Sequence, residues 1–525
     1  MPTLDWIGKQ AVVHHDKDVP FRLLKRDRKL SIGDSEHLLV KGDNLEALKA
    51  LMPYYVGKVQ CIYIDPPYNT GTERWIYNDA VNAPEIRKWL GKVVGKQEED
   101  LTRHDKWLCM MYPRLSLLRE MLSETGAICV SIAEEEIATL RLLLNEIFGE
   151  HNYRNTLVVR RYDKNINRQF LSKGLRSLNV GVEYVVIYSK SDRFVMRPVF
   201  REASEKRSTQ GYWKGFWNAA DRPTMRYELL GVTPEEGQWK WKKDVAMEAV
   251  NNYEHYLKKY SSLTLEKYWQ KEAKDKGLKF IRRNPRGRGV NKGVEHWIPP
   301  SEGILRSSNW TDTLASQSLS QFDLAFDNPK NVEVIKQVIQ LCSDEDSIIL
   351  DSFAGSGTTG HAVLDLNNVN GGTRQCILVE MEDDIAEKVT AKRLQKVIKS
   401  YEGNAETHNG FQFMRLDATL FNAHGSIAEP VTYKDLARYV FFTETRKDLN
   451  EKGLKKPFIG SDGESDYFLL FTEKGKNTLT REKLSSLKES DKQKVIYADR
   501  CLLSESSMKK ANAVFKQIPY HIKVY

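Results

Sequence analysis

Long hydrophobic runs are missing. No stretch of the 525 residues approaches the roughly 20 apolar positions a membrane-spanning helix needs, and Met1 to Gln10 hold no apolar signal core. The expectation is a cytoplasmic protein without a membrane partner. Cysteine is scarce as well. Cys61, Cys109, Cys129, Cys342, Cys376 and Cys501 are scattered, mostly inside apolar stretches, with no Cys-x-x-Cys pair. That argues for reduced thiols and against a zinc site, so no metal is expected. No internal repeat is visible, and neither sign of charge dominates. The net charge of +9 is a mild basic bias, compatible with a polyanionic partner. The remaining composition, 41% hydrophobic and 29% charged, is that of an ordinary globular chain, long enough for about two to four domains.

What is present centres on one corner, Ile64-Asp65-Pro66-Pro67-Tyr68-Asn69. The preceding Val59-Gln60-Cys61-Ile62-Tyr63-Ile64 is apolar and short enough to be one buried strand. Two consecutive prolines then fix φ and remove two backbone donors, so neither strand nor helix continues. The carbonyls of Asp65 and Pro66 lose their ladder partners. The Asp65 carboxylate falls at the carboxyl end of the strand, where open α/β sheets place ligands. Tyr68 can lie flat against a planar group. Together Asp65, Pro66, Pro67 and Tyr68 suit the holding of a planar, amino-bearing ring, with acceptors for its N–H hydrogens and a face to stack on. A strand-ending turn with a capping acid and a core tyrosine would use the same residues, and the corner alone does not separate the two.

Around it the chain has an α/β rhythm. Residues 1–36 are polar, with runs such as Lys25-Arg26-Asp27-Arg28-Lys29, and read as a surface arm. Leu38-Leu39-Val40 is a short strand, Gly42-Asp43-Asn44 a turn able to cap a helix, and Leu45, Leu48 and Leu51 have helical spacing. A polar stretch from Asn69 to Asp105, with Trp75, Trp89 and several lysines, reads equally as a substrate-contacting loop or a solvated linker. Trp107 to Leu122 is helical, with a kink or start expected at Pro113. Gly126 to Ile132 and Glu183 to Tyr188 are strands, and Leu140, Leu143, Leu144 and Phe148 lie on a helix. Glu134-Glu135-Glu136 reads as favourable charge in a first helical turn. Later, Val334, Val338 and Leu341 are helix-spaced, and Ser347 to Asp351 and Gln375 to Glu380 are strands tipped by acids. Strand–turn–helix–strand order of this kind builds a mostly parallel sheet with helices on both faces.

Between Phe194 and Leu319 the rhythm stops. Seven of the eleven tryptophans fall here, among them Trp213, Trp217, Trp239 and Trp241, interleaved with Lys and Arg. Arg282, Arg283, Arg286, Arg288 and Lys292 follow one another between glycines and a proline. Rings for stacking beside cations for phosphates are what a nucleic-acid surface uses. The competing reading is an insertion whose tryptophans form its own small core.

Gly355-x-Gly357-x-x-Gly360, after the strand ending in Asp351, matches the dinucleotide fingerprint, with Glu380 beyond it placed to hold ribose hydroxyls. No Gly-Lys-Ser/Thr follows, which excludes a triphosphate loop. S-adenosyl-L-methionine fits better than NAD. Asp351 just before the loop suits an ammonium group and would repel a pyrophosphate, and nothing else resembles hydride-transfer machinery.

Asp65-Pro66-Pro67-Tyr68 together with Asp351-Ser352-Phe353-Ala354-Gly355-Ser356-Gly357-Thr358-Thr359 resembles the amino-methylating DNA methyltransferases. The order, catalytic corner first and cofactor loop last, is similar to their β class. Asp5-Trp6-Ile7-Gly8, Val40-Lys41-Gly42-Asp43-Asn44 and Phe326-Asp327-Asn328-Pro329-Lys330 resemble the modification subunits of type III restriction systems and their stand-alone relatives. The resemblance covers most of residues 1–400. It implies a Rossmann-like methyltransferase core with an inserted target-recognition domain, duplex DNA as substrate, frequent homodimerisation and, in the type III case, a helicase–nuclease restriction subunit. It implies that Phe353, Ala354, Gly355, Gly357, Thr358 and Asn328-Pro329-Lys330 line the cofactor pocket. Asp43 lies near the cofactor or merely caps a helix. Asp at position 65 favours the N6 amine of adenine, since cytosine-N4 enzymes more often carry Ser there. An RNA amino-methyltransferase and a catalytically idle DNA-binding subunit are the rivals.

The expected domains are an arm (1–36), a catalytic core in two parts (37–193 and 320–400), the insertion (194–319) and a small C-terminal α/β domain (401–525). In the last, residues 466–471 and 494–498 read as strands, and Arg481 to Leu487 and Met508 to Phe515 as helices, with docking of a partner or second protomer as the expected role.

Overall fold

The computed structural model describes residues 4–33, 35–69, 103–162, 178–401, 410–421, 427–428, 431–445, 447, 449–450, 454–472, 477–487 and 491–518. The stretch from Thr70 to Leu101, with its tryptophans and lysines, lies outside them. Two compact units result, Pro198–Arg306 and the remainder of the chain.

The larger unit is built on a ten-stranded sheet. Its strands, numbered in chain order, are β1 (Arg22–Arg26), β2 (Leu38–Lys41), β3 (Val59–Ile64), β4 (Leu122–Ile132), β5 (Tyr153–Arg160), β6 (Val182–Ser189), β7 (Asn309–Leu314), β8 (Ile348–Asp351), β9 (Gln375–Glu380) and β10 (Gln412–Thr419). Across the sheet they run β1-β10-β2-β9-β8-β3-β4-β6-β5-β7. From β10 to β4 every neighbour is parallel, while β1 and β6 run antiparallel to β10 and β4. The central strands are buried on both faces. Val59, Cys61, Ile62, Ile64, Leu350, Ile377 and Leu378 show no exposed surface, as continuous apolar runs in a covered parallel sheet require.

Four sequence expectations change here. The polar arm is not a loose surface segment: β1 closes one sheet edge, and Trp6 and Val12 enter the core beside the helix Arg103–Met121. That helix begins at Arg103 and continues past Pro113, so no helix starts there. A mid-helix proline costs about 3 kcal/mol. Burial of Trp107, Leu115, Leu117 and Leu118, at about 1.5–3 kcal/mol each, outweighs it. The C-terminal segment does not begin at 401, because β10 belongs to the main sheet. Beyond it, a four-stranded sheet of residues 458–462, 465–469, 493–498 and 513–517 packs with the helix Tyr433–Thr445, to which Phe21 and Leu23 also contribute. The helix expected over Met508 to Phe515 stops at Lys510. Asn512 turns left-handed (φ 48°) and Ala513–Gln517 is a strand.

The scattered thiols are not all far apart. Cys61, Cys129 and Cys342 lie fully buried with their sulfurs within 4.8 Å of one another.

The smaller unit holds a three-stranded sheet (281–283, 294–298, 212–215), two strand pairs and the helix Lys243–Lys259. It is narrower than the sequence suggested. Phe194 and Trp310 sit in the core of the large sheet, Trp310 on β7, so they are not part of the insertion.

Candidate active site

Strands β8 and β3 are neighbours, and the chain leaves them in opposite directions, β8 towards β9 and β3 towards β4. Such a switch point leaves a crevice at the carboxyl ends of the strands. Asp351 ends β8 and Asp65 follows β3, so the two acid-tipped turns, far apart in the chain, open side by side.

In the first turn Pro66 and Pro67 are buried, and the Pro67 carbonyl accepts a hydrogen bond from Trp107 Nε1 at 2.7 Å. Among the described residues none donates to the Pro66 carbonyl. The Asp65 side chain is 17% exposed and lies 3.4 Å from Lys330 Nζ. Lys330 Nζ is also 2.5 Å from Glu183 Oε1, donates to the Tyr68 hydroxyl and sits 4.7 Å from the Tyr68 ring centroid. Burial pushes the Asp65 carboxyl up against the pull of the Lys330 ammonium. Burial works to deprotonate Lys330, but Asp65 and Glu183 outweigh it and hold the ammonium above its ordinary value. Burial, with the two carboxylates nearby, pushes the Tyr68 phenol well up, so it stays a neutral donor.

The second turn is built from its glycines. Gly355 and Gly357 have φ of 49° and 76°, the left-handed region that disfavours a side chain. Gly360 serves packing, since a Cβ there would meet Leu378 and Leu394 at 2.8 Å. Asp351 is buried and turned inward. Its oxygens accept from Phe353 N at 2.9 Å and the Thr359 hydroxyl, closing the turn as Asx residues do. Burial pushes its carboxyl up to about 7. Glu380 accepts from Gly355 N and Glu382 N, and burial pushes it up to about 8. Arg393, missed in the sequence, is fully buried behind the loop and donates to Ser356 and Thr358. Thr358 in turn donates to the Lys330 carbonyl at 3.4 Å. Lys330 therefore touches the glycine loop with its backbone and Asp65 with its side chain.

The sequence pattern of the DNA methylase family matches residues 59–392, which spans both turns. The chain belongs to the DNA methylase family. It is 29% identical over 413 residues to the Mod subunit of the type III restriction-modification enzyme StyLTI of Salmonella typhimurium, covering 74% of this chain and 58% of that one. To the EcoPI Mod subunit of Escherichia phage P1 it is 28% identical, covering 76% and 68%. To the type II methyltransferase M.KpnI of Klebsiella pneumoniae it is 29% identical, covering 66% and 80%. The chain spans about three-fifths to two-thirds of the length of the two Mod subunits.

Other residues of this DNA methylase fall less simply. Asp43 caps the helix Asn44–Tyr55, accepting from Leu45 N and Glu46 N, and pairs with Arg114. Its neighbour Asn44 reaches Ser352 O at 3.4 Å, so the cap still braces the glycine loop. Ala354 N donates to Val379 O, Phe353 is half-buried, Pro329 is buried and Asn328 exposed with φ 52°. Glu136 is no exposed first-turn charge. Fully buried, it accepts from Asn69 Nδ2 at 2.5 Å and lies 2.6 Å from His104 Nδ1, and Asn69 Nδ2 also donates to Arg103 O. Both sides of residues 70–102 are thus tied to one carboxylate.

In the insertion the tryptophans are mostly core. Trp239 is fully buried against Phe216, its Nε1 bonded to Tyr227 O, and cannot stack on a base. Trp213 packs on Tyr253 and under Arg282, Trp217 donates to Glu236 O, and Trp241 packs on Phe216 and His296. Arg282 is paired with Glu295, and Arg283 donates to Leu230 O. Arg286 and Arg288 are exposed. Arg283, Arg288 and Lys292 line a hollow of about 540 Å³ with Pro285, Gly287 and Gly289.

Proposed function

We propose that the chain transfers a methyl group from S-adenosyl-L-methionine to the N6 amine of adenine in duplex DNA. The observation that carries this is the bridge made by Lys330, which joins the glycine loop at Thr358 to the amine-accepting corner at Asp65.

The site suits the cofactor. The Ser352 hydroxyl is buried without a partner among the described residues, and the acid side chains of Asp351 and Glu380 lie at the same loop, as a cationic ligand with hydroxyls requires. Phe353, Ala354, Gly355, Gly357, Thr358, Glu380 and the Asn328–Lys330 segment would hold it, with Asp43 acting indirectly through Asn44. When bound it supplies an electrophilic sulfonium methyl.

The remaining work falls to the protein. An exocyclic adenine amine is a poor nucleophile because its lone pair is delocalised into the ring. The Asp65 carboxylate and the Pro66 carbonyl accept its two N–H hydrogens and turn the lone pair out of the ring. Tyr68 stacks on the base, Pro67 fixes the corner through Trp107, and Asp65 takes the proton the methylated amine loses. The base must leave the duplex to reach this depth, after which positioning dominates the rate. Arg283, Arg286, Arg288 and Lys292 fit DNA phosphates. The relatives' names, Mod subunits of restriction-modification enzymes, support a place in such a system beside a restriction subunit, and homodimerisation is what the family resemblance adds.

Labelled methyl transfer to duplex DNA, with sequencing of modified bases in cells expressing the protein, tests the proposal. N6-methyladenine within one recurring sequence is expected. Label on cytosine N4, stronger competition by structured RNA, or DNA binding without transfer would each replace it.

A further inference from the structure

Lys330 occupies the position that the mechanism assigns to the target amine. Its ammonium is an N–H donor 3.4 Å from Asp65 Oδ1, bonded to the Tyr68 hydroxyl and 4.7 Å from the centre of the Tyr68 ring. A purine stacked on Tyr68 and donating to Asp65 needs that same space. Glu183, on β6, has no part in the mechanism above, yet it is buried and holds the same ammonium at 2.5 Å, and Tyr68 OH donates to it at 3.4 Å.

We propose that Lys330 is a placeholder for the flipped base, and that Glu183 is a positioning residue that receives its ammonium when the base arrives. This rests on the base-flipping reading of the site. Without a base, Asp65 keeps a cationic partner inside the crevice and is not left as an unpaired buried charge. An arriving adenine exchanges its own N–H donors for those of Lys330. The ammonium withdraws to Glu183, already in contact, and no charge is stranded. A base without an amine displaces the cation and returns no donor to Asp65, so the exchange itself favours amine-bearing bases.

The two residues therefore have opposite effects on base extrusion, which a purely structural pair would not show. The probe is a duplex with 2-aminopurine next to the adenine found to be methylated, so that the target base keeps its own 6-amine, read by fluorescence at mildly alkaline pH, with melting temperature and cofactor binding followed for each variant. Lys330→Met, and Lys330→Gln as a second neutral variant, are expected to increase extrusion several-fold. Glu183→Gln is expected to decrease it several-fold and raise KM for DNA more than it lowers kcat. In the Lys330→Met/Glu183→Gln double variant the Glu183 effect should vanish, because it acts only through the ammonium. Reduced extrusion in both single variants, or a Glu183 effect that persists without Lys330, would overturn the proposal. Wild-type methyl transfer to the same duplex, measured alongside, tests the underlying reading separately.

Discussion

At the end of β3 a half-buried ring, Tyr68, is stacked under a largely enclosed cation, its side chain 11% exposed, that three side chains hold in place. In the insertion the arrangement is reversed: Trp239 is wholly buried, while Arg286 and Arg288 face solvent. Both regions read in sequence as aromatics beside cations. They differ in which partner is removed from water. Desolvating a ring is favourable by itself, whereas desolvating an ammonium is costly unless carboxylates accompany it. The insertion therefore folds by collecting its rings, and Arg286 and Arg288 remain at the surface. The corner collects charges, which folding alone does not favour, and perturbed buried groups of this kind gather where chemistry is done.

The largest effect should come from breaking the corner. Asp65→Ala is expected to lower methyl transfer by about 10²–10³-fold, as loss of a central electrostatic contact does, while cofactor binding, followed by a shift in melting temperature, survives. Retained activity would put the corner on a level with the insertion. In the insertion, Trp239→Ala should destabilise that unit by about 3–5 kcal/mol in denaturant unfolding. Arg286→Ala or Arg288→Ala should change stability by less than about 0.5 kcal/mol yet reduce the salt slope of DNA binding by about 1 each. If Trp239 proved dispensable for folding and needed for DNA, the contrast would collapse. The smallest effect sharpens the view of buried charge. Asp351 is lifted from its ordinary 3.8 to about 7. Between those values the folded protein holds a proton that the unfolded chain has lost, so this group's contribution to stability declines as pH rises from about 4 to 7. Asp351→Asn should flatten that part of the curve of melting temperature against pH in the cofactor-free protein.

The same physics decides what could be read in advance. Strands β2, β3, β8 and β9 were legible because each is a short apolar run ending in a turn or acid. The two ligand turns were legible because prolines and glycines mark them. β1 was not, since Arg22-Leu23-Leu24-Lys25-Arg26 looks like a solvated run until β10, some four hundred residues on, pairs with it. Glu183 sits inside a strand where nothing local distinguishes it, and its partner lies 147 positions away. Arg393 and Glu136 are charged residues on helical patterns, where the default is solvent. Trp239 was hidden for a related reason: composition reports that rings and cations are close in the chain, and not which way each one faces.

The carboxylate of Glu136 accepts from Asn69 and lies against His104, so the end of the proline corner is tied to the start of the helix Arg103–Met121. Trp107 of that helix also holds the Pro67 carbonyl. The corner is thus braced twice from one helix, and a change at Glu136 would reach the amine-accepting acid without touching it.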